Sequence, residues 1–216
     1  MNPLVATLVL AIFVLPPAHS SAQSWRVYVN QRDQFSVNLP GEPEIENVTY
    51  ESEFGAHFPA RVYSVRNSSG LFAVTVVDFR DAQQIHIEKL ANESEDEQQR
   101  GRNRWINDQR AAVTRAAREI RQRGGTVTYD AWAHIDHVEG HQLQISNSDG
   151  TRTFAGIYFH AKARILYVLD ATVSQTAPPP GQFQQSLTFL DDDGSRIRYS
   201  FDPEGITTRL PVAEAP

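Results

Sequence analysis

FPARVYSVRNSSGLFAVTVVDF (residues 58–79) decides the fold class, because it reads as two strands joined by a tight turn. Asn67-Ser68-Ser69-Gly70 is the expected turn of a hairpin. The second strand, residues 71–79, carries apolar and β-branched side chains on both faces, which places it inside a sheet and not at its edge. Outward from this hairpin the two-residue period persists. Residues 25–29 and 35–39 alternate before Pro40-Gly41 turns the chain, and residues 42–50 form a polar strand suited to an edge. Downstream, residues 126–138 and 141–145 flank a turn expected at Glu139-Gly140. Asn147-Ser148-Asp149-Gly150 is a second strong hairpin signal, leading to residues 151–160 and then 164–173.

Helical spacing shows in two places. Asn107 or Asp108 can cap a helix that runs to Arg123 and stops at Gly124-Gly125, with Ile106, Val113, Ala117 and Ile120 on its buried face. After Pro178-Pro179-Pro180-Gly181, a short helix is expected to carry Phe183, Leu187 and Leu190. About nine strands joined mostly as hairpins, with one long and one short helix, predict an α+β fold. Its core is a single, largely antiparallel sheet flanked by those helices. The folded domain spans residues 23–190, and residues 191–216 read as a polar C-terminal tail.

The 216 residues are 40% hydrophobic, a globular composition at a length that suits one domain. There is no cysteine, which excludes disulfides, thiolate catalysis and zinc–cysteine or iron–sulfur sites. A formal net charge of −6 argues against a dedicated nucleic-acid binder. The amino terminus carries an export signal. LVATLVLAIFVL (residues 4–15) is uncharged and too short to span a bilayer as a helix, which takes about 20 such residues. Pro16-Pro17 then break the run, and Ser20-Ser21-Ala22 puts small side chains at the −3 and −1 positions, so cleavage is expected after Ala22. Met1-Asn2-Pro3 lacks the usual basic residue, and an uncleaved anchor is the alternative. A periplasmic or secreted monomer with no membrane span in the mature chain is expected.

FSVNLPGEPE (residues 35–44), PARVYSV (59–65), GHQLQISNSDGTRTFAGIYFH (140–160) and GQFQQSLTFL (181–190) resemble segments of small exported bacterial proteins with a PsbP-like fold. These motifs mark turns and core packing. The resemblance implies an antiparallel sheet flanked by helices, and accessory or binding modules more than enzymes. It assigns no catalytic residue, and it does not reach residues 88–104 or the tail.

Four arginines, Arg110, Arg115, Arg118 and Arg121, fall on one flank of the long helix, where they can meet an unknown protein partner or an anionic ligand. The bland alternative is a solvated face, neutralised by the acidic cluster upstream. His134, His137 and His141 are the densest metal-competent set, but strand alternation divides them between two faces and no specific zinc spacing is present. Asp78 and Asp170 interrupt apolar strands, where a buried carboxylate marks either an active site or an ordinary partnered strand end. Asp191-Asp192-Asp193-Gly194-Ser195 lacks the alternating ligands and closing glutamate of a calcium loop. No nucleophile elbow, phosphate loop or dinucleotide fingerprint occurs, and no cofactor is implied. The expected function is a non-catalytic exported binding domain. The alternative is a metal-binding protein or metal-dependent hydrolase centred on the three histidines.

Overall fold

The computed structural model describes residues 25–204 and 206–210; the apolar run at 4–15 and the expected cleavage junction lie outside them. In chain order the elements are β1 (Arg26–Asn30), β2 (Phe35–Leu39), β3 (Glu44–Glu51), β4 (His57–Arg66) and β5 (Gly70–Asp78). Next come α1 (Ala82–Leu90), α2 (Glu95–Gly101), α3 (Arg104–Gln122), β6 (Thr126–Ile135), β7 (Val138–Ser146), β8 (Arg152–His160) and β9 (Ile165–Val173). The last elements of the described residues are α4 (Gly181–Gln184), β10 (Thr188–Phe189), β11 (Tyr199–Phe201) and β12 (Thr207–Arg209). The α+β class holds, and all strand pairs are antiparallel. Seven strands form the main sheet in the order β3-β4-β5-β9-β8-β7-β6.

Alternation along the interior strands sorts side chains into two cores. Phe72, Val74 and Val76 of β5 join Ile165, Tyr167 and Leu169 of β9 on one face, while Val77, Leu166 and Val168 point to the other. The first face is covered by a second, three-stranded sheet, β1-β2-β10, through Phe35, Val37, Leu39 and Phe189. The opposite face is covered by α3, which lays Ala112, Ala116, Ala117 and Ile120 over β7, β8 and β9. Strand β3 is an edge strand, as its polarity predicts, and β5 is interior.

Five expectations need correction. The covering sheet replaces the single sheet, because Leu187 and Leu190 belong to no helix. α4 is a single turn ending at Gln184, and Thr188–Phe189 pairs with β2. The polar stretch before α3 is helical. In α1 the buried stripe is Ala82, His86 and Leu90, so a histidine in the middle of the i, i+4, i+8 row hides the apolar period. In α2 the Ser94 hydroxyl caps the first turn by accepting from Glu97 N, and Glu95, Asp96 and Glu97 favour the positive end of the helix. α3 starts after Asn103, which leaves Asp108 inside the helix and buried.

The β6–β7 turn sits at Asp136-His137, both at positive φ, and not at Glu139-Gly140. Gly140 is a strand residue, kept small because a Cβ there would overlap the Ile157 carbonyl oxygen and the Tyr158 ring. Finally, the chain beyond Leu190 still serves the core. Leu190 bridges to Arg196, Ile197 is buried, and Tyr199 packs beside it.

Candidate functional site

The arginine flank of α3 is largely consumed by the protein itself. Arg115 lies 2.5 Å from Glu119 and 3.5 Å from Glu53, and Arg118 also binds Glu53. Arg121 grips Asp130 of β6 at 2.7 Å and approaches His141 Nε2 at 3.1 Å. That grip, reinforced by His141, pulls the Asp130 carboxyl down to about 2. These pairs tie α3 to the β3–β4 connection and to β6. Of the four expected binding residues only Arg110 makes no ion pair or hydrogen bond among the described residues, and it borders a groove.

The three histidines do not converge. His141 is turned under α3 by Asp130 and Arg121. His137 stands at the turn, edge-on to Tyr199 with 5.4 Å between ring centroids. His134 lies opposite Glu139 in the strand register. Among the described residues no three histidine, aspartate or glutamate side chains are grouped to hold a metal ion. The turn at 136–137 is the physical reason, since it sends His137 out of both strands. The other two aspartates are both paired with arginines, although only Asp78 ends its strand and Asp170 lies inside β9. Asp78 is held by Arg80, and Asp170 by Arg123 at the end of α3. Asp191 spends its oxygens on Asp193 N, Ser195 N and Arg209, which makes a closed turn.

The groove has a volume of about 500 Å³ and three walls. α3 gives Gln109, Arg110, Val113 and Thr114; the β6–β7 hairpin gives Trp132, Asp136 and Glu139; the end of β8 and the turn after it give Phe159 and Lys162, with Tyr199 of β11 beside them. Trp132 is 71% exposed, although its indole is set edge-on against His141 at 5.2 Å. It also walls a second depression of about 620 Å³ with His134, His137 and Glu139. Lys162, like Arg110, has no ion-pair or hydrogen-bond partner among the described residues. Two buried polar atoms of the lining lack hydrogen bonds: Gln109 Nε2, a donor, and Asp136 Oδ2, an acceptor. The nearest cation to that oxygen is Arg196 at 4.0 Å. An unsatisfied buried donor and acceptor cost free energy until something bonds to them.

A third cluster, which the sequence did not disclose, looks catalytic by composition only. Asp108 Oδ2 accepts from Ser52 Oγ at 2.7 Å and contacts His86 Nε2 at 2.5 Å, while Oδ1 accepts from Phe54 N at 3.0 Å. A hydrolytic triad needs the serine on the histidine. Here the aspartate is the hub, and Ser52 Oγ is further occupied by Ala56 N. The arrangement docks the β3–β4 connection and α1 onto α3. Trp132 did leave a trace in the sequence: it alternates with Asp130 and His134, which marks a tryptophan on a polar strand face.

Fold and groove together define an α+β protein on antiparallel sheets with an open, polar, aromatic-walled cleft at one end. Compared with family models, curated proteins and solved structures, the chain matches none. No helix among the described residues is long and apolar enough to cross a membrane.

Proposed function

We propose that this chain is an exported, non-catalytic binding domain whose anionic ligand sits in the groove between α3 and the β6–β7 hairpin. The observation that carries the proposal is the exposed Trp132 ring in the same cleft as Arg110 and Lys162, two cations without carboxylate partners. A ring with an apolar face and a polar edge is suited to a half-wet binding surface, and free cations converging on one cleft attract negative charge. Export is supported by the apolar run at residues 4–15 with its small-residue exit, and by the resemblance to exported proteins of PsbP-like fold. A mature amino terminus at Gln23 in the exported fraction, read by intact mass, tests that half.

The groove is tested with 8-anilinonaphthalene-1-sulfonate, an anion on an aromatic frame that fluoresces when held against apolar surface. One saturable site is expected. The double variant Arg110→Glu, Lys162→Glu should weaken it by about tenfold or more, and Arg115→Glu, which touches a paired arginine outside the groove, should not. Equal binding by both variants would overturn the assignment.

A further inference from the structure

We infer that the ligand is a sugar acid: a hydroxylated ring carrying one carboxylate or phosphate. This rests on the groove being the ligand site and adds its chemistry. Charges and orphaned atoms are divided among the walls in a way that sets three requirements. Arg110 comes from α3 and Lys162 from the β8–β9 turn, whereas the carboxyls of Asp136 and Glu139 both come from the β6–β7 hairpin. An anionic group therefore belongs at the α3 and β8–β9 side, and groups that donate hydrogen bonds belong at the hairpin side. The buried atoms without hydrogen bonds repeat the division, since Gln109 Nε2 on α3 lacks an acceptor and Asp136 Oδ2 on the hairpin lacks a donor, with Arg196 no nearer than 4.0 Å.

Hydroxyls meet both needs, because each is donor and acceptor at once. Trp132 adds the third requirement, a flat face with little polarity. The C–H face of a sugar ring supplies it while its hydroxyls point sideways to the walls. Simple anions lack the face, and an aromatic acid lacks the hydroxyls. A cleft of about 500 Å³ lies within the ordinary range for small-molecule sites, about 300–1,000 Å³.

The test is displacement of 8-anilinonaphthalene-1-sulfonate from the mature chain by glucuronate, glucose 6-phosphate, glucose and benzoate, with saturation-transfer NMR to confirm contact of ring protons with Trp132. At least one of the two sugar acids should displace the dye, and which one does so distinguishes a carboxylate from a phosphate source. Glucose and benzoate should each be weaker by about tenfold. Trp132→Ala should abolish the ring-proton transfer. Gln109→Met, which keeps the side chain's length and removes its amide, should weaken the sugar acid several-fold.

Benzoate matching the sugar acids would show that charge and ring suffice, overturning the sugar class while the groove stands. Failure of both sugar acids, with dye binding still dependent on Arg110 and Lys162, has the same meaning. Sugar-acid binding unchanged by Trp132→Ala would place the sugar elsewhere and overturn the inference. Dye binding indifferent to the Arg110 and Lys162 double reversal would remove the groove and the inference together.

Discussion

Asp33, in the turn between β1 and β2, and Asp136, in the turn between β6 and β7, are both aspartates at hairpin ends, yet their surroundings are opposite. Asp33 is 0% exposed. It accepts from both arms of Arg61, at 2.6 Å from Nε and more closely from an Nη, and from the Tyr63 hydroxyl. Tyr167 bonds to its carbonyl oxygen at 2.8 Å. Burial, with Asp33 next, pushes the Tyr63 hydroxyl well above its usual range, so Tyr63 is held as a donor. This cluster fastens the covering sheet to β4 and β9. Asp136 keeps one buried oxygen with no hydrogen bond and only a long ion-pair contact, 4.0 Å, to Arg196. A carboxyl saturated by its own chain serves architecture, and one left short at the wall of a cleft is available to a ligand. The contrast makes stability and binding separable by mutation.

The sharpest way to break it is Asp33→Ala. Removing one partner of a buried ion pair strands the other, and a loss of about 3–5 kcal/mol is expected in urea unfolding. A loss below about 1 kcal/mol would mean that Asp33 is no more structural than Asp136. Next comes Asp108→Asn, which keeps one acceptor for Phe54 N but disturbs the bonds to His86 and Ser52. It should cost about 1–3 kcal/mol while leaving dye binding in the groove untouched. If dye binding fell with stability, the two clusters would not be independent.

The same contrast explains what could be read in advance. Hairpins at Asn67-Gly70 and Asn147-Gly150 carry local turn chemistry, and the edge position of β3 shows in its glutamates, so the main sheet was readable. The covering sheet was not, because β10 is two residues long and its pairing with β2 spans about 150 positions (Thr188 to Ser36), beyond any local pattern. Gly140 misled because a strand glycine and a turn glycine look alike until Tyr158 is seen lying over it. The arginine flank was readable as charge, but its neutralisation by Glu53, Glu119 and Asp130 depends on how α3 docks. Gln109 and Asp136 carry no signal at all, since what distinguishes them is the absence of a partner in three dimensions.

Gln109→Met inverts the usual sign. It replaces a buried donor that bonds to nothing with an apolar chain of similar length, so stability should rise by about 1 kcal/mol, visible as a higher urea midpoint at unchanged slope. The matching change at a satisfied site, Asp108→Asn, goes the other way. A fall in stability for Gln109→Met would show that its amide already has a partner, and the groove would lose its orphaned donor.

The smallest effect comes from Asp130, which lies between the two classes: partnered by Arg121 and His141, yet with its side chain 36% exposed. Its folded value is about 2 against an ordinary 3.8, lowered first by Arg121 and then by His141. A depressed carboxyl stabilises the fold fully above its unfolded value, and that contribution fades as pH drops through the folded one. The contribution should therefore be complete above about pH 4 and disappear toward pH 2. Solvent and salt screen a pair this open, so less than about 1 kcal/mol is expected. Other carboxyls titrate in the same window, and only a difference isolates this one. Asp130→Asn should be less stable than the parent at pH 5 in low salt and converge with it near pH 2, and the gap at pH 5 should narrow in high salt. A gap independent of both pH and salt would mean that Asp130 holds α3 to β6 by shape and neutral hydrogen bonding, which would make it architectural like Asp33.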